Sequence, residues 1–238
     1  MTVTDANGKA VEATKNEDGT YTFTQPSGKV KIDVTYKADG EAAPAPAPDG
    51  DAFGPYTDLD AGAWYAAGIR YALENGVMSG YGDGKFGPSD TTTRAQLAQI
   101  LYNLEGRPAY GGAADFTDVN GADWYAAAIA WASGEGLVGG YGDGLFGPQD
   151  MLTREQLVTI LYRYARFKGL DVSAGEDTNL LGYDDAGEVS DWAAAAMQWA
   201  VGSGLVNGKT DTTLNPQDTA TRAEIATILM RYCENLAN

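Results

Sequence analysis

The strongest constraint on the fold of this chain is a unit that occurs three times in its sequence after residue 55. Each copy contains a Trp, a Pro 24 positions later and an Arg 30 positions after the Trp. The three sets are Trp64, Pro88 and Arg94; Trp124, Pro148 and Arg154; and Trp192, Pro216 and Arg222. Successive copies are offset by 60 and 68 residues, and the eight additional residues fall in 170–182, a stretch typical of a longer surface loop. A tandem repeat of this length predicts units that bury their apolar faces against their neighbours.

Each repeat is predicted to fold as a helix, a Gly-rich loop and a second helix. The first helix is expected at about 64–74, 124–133 and 192–201, where Ala and aromatic residues are dense and glycines follow. The second helix follows a Thr that has Gln or Glu three positions later, which is the pattern of a capping box. The pairs are Thr93 with Gln96, Thr153 with Gln156, and Thr221 with Glu224. Apolar residues at i, i+3, i+4 and i+7 then give each second helix one buried face.

The residues before the first repeat follow two other patterns. Residues 1–38 alternate apolar and polar positions between turn signals, which predicts short strands of a small β module or the end of a truncated Ig-like domain. Residues 39–54 contain the sequence APAPAP at 43–48, which favours an extended linker. The repeats are expected at 55–110, 111–172 and 173–238. The predicted fold class is therefore mainly α, preceded by a small β segment.

Composition argues against several classes of function. A net charge of −17 disfavours binding to nucleic acid or to an anionic membrane surface. The single Cys233 excludes an intramolecular disulfide, and the absence of His removes the commonest zinc ligand and general base. We therefore expect no enzyme activity, no metal site and no cofactor.

The sequence shows neither a membrane span nor a signal peptide. No apolar run approaches the roughly 20 residues that cross a bilayer. The first residues have no basic start and no apolar stretch. If the parent protein is exported, we expect this chain to be an internal or C-terminal part of it.

The motifs within the repeats resemble those of the S-layer homology family. The first repeat has YTD at 56–58, WYA at 64–66, GYGDGKFGP at 80–88 and TRAQ at 93–96. The second has FTDV at 116–119, WY at 124–125, GYGDGLFGP at 140–148 and TREQ at 153–156. The third departs in its loop, GKTDTTLNP at 208–216, but ends in TRAE at 221–224. The resemblance covers residues 53–238 and implies a pseudo-threefold helical assembly with ligand grooves between neighbouring repeats.

The resemblance also implies a function at the cell surface. Members of this family hold exported proteins non-covalently on the cell wall of Gram-positive-type envelopes. Their ligands are secondary cell-wall polysaccharides linked to peptidoglycan, often ending in an N-acetylmannosamine that carries a pyruvate ketal. We expect the same partner here, with no membrane insertion and with any lateral association made by the parent protein.

The resemblance implicates the Arg of the tetrapeptide, here Arg94, Arg154 and Arg222, in holding that ligand. An Arg at a helix start lies where free backbone N–H groups favour an anion, and a guanidinium can grip a planar carboxylate with two hydrogen bonds. The alternative is that each Arg pairs with a nearby carboxylate of the chain.

The other candidate polysaccharide-binding residues belong to the caps, the loops and the helix starts. They are Gln96, Gln156, Glu224, Asp83, Asp143, Asp211, Gly82, Gly142, Trp64, Trp124 and Trp192. The aspartates could accept hydrogen bonds from sugar hydroxyls or hold their own turns. The glycines permit left-handed backbone angles that bring a sugar close to the main chain. The tryptophans could stack on a sugar face, although a Trp that opens an Ala-rich helix is more often part of the core.

Three rival functions make different predictions. A calcium loop needs oxygen ligands at alternate positions and a Glu at the twelfth, and these loops lack both. A glycosidase needs a defined carboxylate pair, and no pair is singled out. A self-assembling tile of a surface layer would multimerise alone and ignore wall polysaccharide.

Overall fold

The chain forms two compact units, Met1–Gly50 and Asp51–Asn238. In a computed structural model, residues 2–5, 10–11, 13–15, 21–23, 30–33 and 53–236 are described. Nearly all of the predicted linker lies outside these residues.

The described residues of the first unit form five short strands, and the alternating pattern predicts strands in this region. They are β1 (Thr2–Asp5), β2 (Ala10–Val11), β3 (Ala13–Lys15), β4 (Tyr21–Phe23) and β5 (Val30–Asp33). Strands β2, β1 and β5 form an antiparallel sheet in that order, and β3 pairs with β4. Whether they represent the end of an Ig-like domain stays a prediction.

The second unit is helical and contains two helices for each repeat. They are α1 (Ala66–Glu74), α2 (Arg94–Leu104), α3 (Ala126–Gly134), α4 (Arg154–Phe167), α5 (Ala194–Gly202) and α6 (Arg222–Asn235). Two 3-10 turns, Ser173–Gly175 and Ala186–Glu188, lie in the longer connection before α5. No helix of the described residues is long and apolar enough to cross a bilayer. The mainly α fold class is confirmed.

The two kinds of helix begin differently. Thr93, Thr153 and Thr221 form the three predicted capping boxes, each accepting a bond from the backbone N–H three residues on. The first helices begin two residues after the Trp, slightly later than the predicted starts at about 64, 124 and 192. Their N-cap residues, Tyr65 and Tyr125 among them, already have αR backbone angles and make no side-chain cap.

The helices pack in a closed cycle. Helix α3 packs on α2 and α5 packs on α4, so a first helix contacts the second helix of the preceding repeat. Helix α1 packs on α6, which joins the first repeat to the third. The core runs continuously through all three repeats, with Leu97, Leu157 and Ile225 almost completely buried.

A ring of backbone hydrogen bonds marks the axis of this cycle. Thr92 N donates to Ala220 O at 3.0 Å, Ala220 N to Leu152 O at 2.9 Å, and Leu152 N to Thr92 O at 2.9 Å. The first N–H groups of the three second helices form a second such set of bonds between repeats. Arg94 N donates to Asp150 O at 3.0 Å, Arg154 N to Asp218 O at 2.9 Å, and Arg222 N to Asp90 O at 2.9 Å. The bonds pass from repeat to repeat and return to the start, which confirms the pseudo-threefold assembly.

Candidate functional site

The three helix-start arginines are buried at the junctions between repeats. Arg94, Arg154 and Arg222 expose 7%, 6% and 5% of their surface. Arg94 Nε donates to Phe146 O at 2.9 Å and Nη2 to Gly139 O at 2.6 Å, so its side chain crosses to the loop of the second repeat. These bonds tie neighbouring repeats together, a structural role that the sequence reasoning did not include.

Arg222 makes the equivalent contacts with the loop of the first repeat. Its Nε donates to Phe86 O at 2.9 Å and its Nη2 to Ser79 O at 2.6 Å. The guanidinium carbon lies 4.5 Å from the ring centre of Phe86 and 4.8 Å from that of Tyr81. Arg94 has corresponding cation–π contacts of 4.7 and 4.8 Å with Phe146 and Tyr141. Both cations are thus held in aromatic surroundings with little water.

Burial leaves these two charges incompletely compensated. Desolvation lowers the pKa of Arg94 and of Arg222, although neighbouring Tyr and Asp side chains oppose the shift. Among the described residues, no carboxylate lies within 4.0 Å of either guanidinium, and neither Nη1 donates a hydrogen bond. Because a buried charge is costly unless it is paired, an anion placed beside either Nη1 would offset this cost.

Arg154 differs because it has an acidic partner. Its Nε donates to Leu214 O at 2.9 Å, and its Nη1 lies 3.3 Å from Glu224 Oε1. The alternative of pairing with a carboxylate of the chain is therefore observed at this Arg, whereas Arg94 and Arg222 have no such pair among the described residues.

Two of the arginines line grooves between repeats. Arg94 lines a cavity of about 240 Å³ together with Tyr141, Gln156, Arg163 and Trp192. This groove draws on the first repeat for its Arg, on the second for its loop and helix α4, and on the third for its Trp.

The groove at Arg154 is built in the same way but is larger. Its cavity is about 430 Å³ and includes Lys209, Glu224, Arg231 and Trp64. Lys209 stands two residues before Asp211, at the loop position that Tyr141 holds in the second repeat.

The equivalent sequence positions around Arg222 carry Tyr81, Gln96, Asn103 and Trp124. The contacts of Arg222 with Ser79 and Tyr81 show that its side chain is placed as in the groove at Arg94.

The tryptophans that precede the first helices lie at the surface. Trp64, Trp124 and Trp192 are 65%, 62% and 56% exposed, so the interpretation of these residues as core was wrong. Trp64 and Trp124 make edge contacts with the following Tyr65 and Tyr125, at ring distances of 5.6 and 5.1 Å. Trp64 and Trp192 each line one of the two grooves.

Two of the three loop aspartates, Asp83 and Asp143, hold their own turns. Asp83 Oδ1 accepts from Lys85 N and Asp143 Oδ1 from Leu145 N, both at 3.1 Å. Asp211 is exposed in the altered third loop. None of the three is among the residues that line the two grooves.

The loop glycines are required by backbone conformation. Gly82 and Gly142 have φ of 88° and 90°, as the left-handed interpretation predicts. A Cβ at either position would meet no atom within 4 Å, so there is space for a side chain. Glycine is favoured there because of the positive φ of the turn.

A second aspartate in each repeat anchors the Gly-rich loop. Asp58 accepts hydrogen bonds from the backbone N–H groups of Phe86 and Gly87, both at 2.8 Å, and Asp118 does the same in the second repeat. Partial burial would raise the pKa of each carboxyl, but the backbone hydrogen bonds outweigh it and leave the pKa below its usual value. The loop that presents carbonyl groups to the buried Arg is held in place by this carboxylate.

Sequence reasoning missed the residue nine positions after each helix-start Arg. These residues are Asn103, Arg163 and Arg231. Asn103 Nδ2 donates to Val77 O at 3.2 Å and Arg231 Nη1 to Leu205 O at 3.1 Å, while Arg163 makes no such bond within the described part of the chain. Alignment of the three repeats at this position shows the change of charge and was the signal available in the sequence.

Sequence reasoning also missed the buried Glu155, which is 3% exposed. Its carboxylate accepts hydrogen bonds from Ser190 N, Ser190 Oγ and Gln217 Nε2 at 2.9 to 3.0 Å. Because these bonds join helix α4 to the connection before α5 and to the residue that follows the third loop, Glu155 has a structural role.

Comparison with known proteins identifies related repeats. The family model described as S-layer homology domain matches residues 55–98, 115–158 and 182–226, which together make up more than half of the chain.

Three relatives contain a similar region. The "Exoglucanase XynX" of Acetivibrio thermocellus is 31% identical over 177 residues, covering 74% of this chain and 16% of that protein. The "Cellulosome-anchoring protein" of the same organism is 30% identical over 161 residues, covering 66% and 35%. The "Surface-layer 125 kDa protein" of Lysinibacillus sphaericus is 31% identical over 173 residues, covering 71% and 14%. The chain thus matches between 14% and 35% of the length of these proteins.

Proposed function

Because the chain belongs to the S-layer homology domain family, we propose that its three repeats anchor an exported protein to the bacterial cell wall by binding an anionic secondary cell-wall polysaccharide. The similar region occurs in an exoglucanase, an anchoring protein and a surface-layer protein, and it is a small part of the exoglucanase and of the surface-layer protein. A module shared by proteins of such different names serves attachment at the cell surface and not catalysis.

The observation that carries the proposal is the unpartnered Nη1 of a buried guanidinium beside a groove. At Arg94, two nitrogens are bound to the loop and the third has no hydrogen-bond acceptor among the described residues, so a ligand in the groove could use it. A carboxylate compensates such a cation better than water does, because the hydrogen bond is charge-assisted and the surroundings are poor in solvent. The pyruvate ketal of a wall sugar supplies this carboxylate.

An exposed indole supplies the second part of the site. Trp192 lines the same groove and is 56% exposed. Sugar rings have apolar faces that pack on aromatic side chains, so the indole and the guanidinium together hold a sugar that has one apolar face and one carboxylate.

The overall charge determines how binding responds to salt. A chain of net charge −17 repels an anionic polymer at long range, so recognition depends on local contacts in the grooves. We expect affinity to change only moderately with ionic strength, because close buried contacts are screened less than exposed ones.

Sedimentation with purified cell-wall sacculi tests the proposed function. The wild-type chain is expected to pellet with sacculi, and the triple variant Trp64→Ala/Trp124→Ala/Trp192→Ala is expected to stay in solution. These side chains are exposed, so their removal leaves the core and the helical circular dichroism unchanged. Leu181→Ala is the matched control, since Leu181 is 83% exposed and lines neither groove.

Two outcomes contradict the proposal. Retained pelleting of the triple variant would place the site outside the grooves. A wild-type chain that multimerises alone and ignores sacculi would instead show the self-assembling tile of a surface layer.

A further inference from the structure

The three junctions between repeats differ at the third residue after the helix N-cap. Gln96, Gln156 and Glu224 occupy this position, and all three complete a capping box with the preceding Thr. Gln156 is neutral, and in the described part of the chain the guanidinium of Arg94 has no acidic partner, whereas Glu224 places a carboxylate 3.3 Å from Arg154 Nη1.

The Arg154–Glu224 pair therefore fills the place that is open beside Arg94. It uses Nη1, the nitrogen that has no hydrogen bond at Arg94. The two side chains are 7% and 14% exposed, so water screens their attraction poorly.

A carboxylate ligand at Arg154 would have to displace Glu224 or lie beside its negative charge. Displacement would also break the bond from Thr221 N to Glu224 Oε2, which is 2.8 Å long and caps helix α6. The other two cations of this groove have contacts of their own. Lys209 lies 3.1 Å from Asp218 and 3.9 Å from Glu224, and Arg231 Nη1 donates to Leu205 O at 3.1 Å, so neither takes the place of Glu224 beside Arg154 Nη1.

The same groove has the features that suit an uncharged sugar. Its cavity of about 430 Å³ exceeds the 240 Å³ of the groove at Arg94. Trp64 offers an indole that is 65% exposed, for packing on a sugar ring. Glu224 offers carboxylate oxygens that accept hydrogen bonds from sugar hydroxyl groups.

We infer that the groove at Arg154 binds an uncharged sugar unit of the wall glycan, while the groove at Arg94 and the matching junction at Arg222 bind the unit that carries the carboxylate. Glu224 is the residue that sets this specificity. The inference rests on the proposed function. It adds that charged and uncharged sugar units of the glycan bind at different junctions between the repeats.

The test isolates one groove at a time in the full chain. The double variant Trp124→Ala/Trp192→Ala keeps only the tryptophan of the groove at Arg154, and both substituted residues are exposed. The probes are methyl N-acetyl-β-mannosaminide with and without a 4,6-linked pyruvate ketal, titrated by NMR.

The wild type is expected to prefer the pyruvylated glycoside by at least about tenfold, the effect of one charge-assisted hydrogen bond. The double variant is expected to bind both probes within about twofold of each other, because the internal carboxylate replaces the ligand's contribution. Adding Glu224→Gln is expected to restore the preference for the pyruvylated probe. The first two repeats already carry Gln at this position, so the cap of helix α6 is retained.

The reciprocal exchange provides the matched control. In Trp64→Ala/Trp124→Ala, which keeps the tryptophan of the groove at Arg94, Gln156→Glu is expected to abolish the preference for pyruvate. Circular dichroism and urea midpoints of all variants check that the fold is intact.

The outcomes separate this inference from the proposed function. A double variant that keeps the wild-type preference, binds neither probe, or does not respond to Glu224→Gln overturns the inference alone. A wild type that binds neither glycoside nor sacculi overturns both.

Discussion

Closure of the ring between the first and third repeats depends on a glycine. Gly68 lies in α1, where this helix packs on α6. A Cβ at Gly68 would lie 2.6 Å from Thr227 Cα, 2.7 Å from Thr227 N and 2.8 Å from Thr227 Oγ1. Two of these atoms are backbone, so a change of rotamer does not relieve the overlap. The Gly68→Ala substitution therefore forces the helices apart.

The magnitude follows from two opposing terms. Ala is favoured over Gly inside a helix by about 0.8–1 kcal/mol, which would stabilise the variant. Overpacking a tight core costs about 1–3 kcal/mol. The contacts of a Cβ at Gly68, at 2.6 to 2.8 Å, are much shorter than the usual carbon separation of about 3.5–4 Å, so we expect a cost near the upper end of this range. We expect a net loss of about 1–2 kcal/mol in the free energy of unfolding. The equivalent positions in α3 and α5 are Ala128 and Ala196, which carry the Cβ that Gly68 lacks.

Urea unfolding followed by circular dichroism measures the effect. Ala67→Gly is the control, because Ala67 is exposed in the same helix and the substitution reports helix propensity alone. If Gly68→Ala stabilised the chain by the 1 kcal/mol that propensity gives, α1 would not be in close contact with α6 and the closed ring would be wrong.

Two further predictions concern the axis and the loops. Thr92 is fully buried at the axis, and its Oγ1 has no hydrogen-bond partner among the described residues. Thr92→Val should therefore leave the free energy of unfolding, measured by urea titration, unchanged or raise it by up to about 1 kcal/mol. A loss of more than about 1 kcal/mol would reveal a partner for the hydroxyl. Asp58→Ala should cost about 1–3 kcal/mol by removing the acceptor of two backbone N–H groups. Because the folded-state pKa of Asp58 and Asp118 is lowered, their stabilisation is complete above the unfolded pKa of about 3.9 and is lost as the pH falls through the lower folded value. Urea titrations between neutral and acid pH should show this loss in the wild type and a weaker loss in Asp58→Asn, and equal pH profiles would contradict it.

Features that depend on neighbouring residues were predictable from the sequence. The capping boxes at Thr93, Thr153 and Thr221 involve residues three positions apart, so the sequence located the second helices. The fixed spacing of the repeats predicted the threefold assembly, because units that cannot bury their own apolar face must pack on each other.

Features that depend on distant residues were not predictable in the same way. Arg222 meets the carbonyl groups of Ser79 and Phe86, which lie 143 and 136 positions away, so its role in joining repeats was invisible in its local sequence. The exposure of Trp64 was missed because its aromatic character and the Ala-rich helix that follows both favour burial in general. Only the closed cycle of helices shows that the residues before α1 face a groove.

Binding of a wall carboxylate is tested most directly by sedimentation with sacculi whose pyruvate ketals have been removed by mild acid. The full chain is expected to bind untreated sacculi at least about tenfold more tightly than treated ones. Without pyruvate the glycan has no carboxylate to pair with the buried guanidinium groups of Arg94 and Arg222, and only the sugar contacts at the groove of Arg154 remain. Equal affinity for treated and untreated sacculi would contradict carboxylate recognition in the grooves.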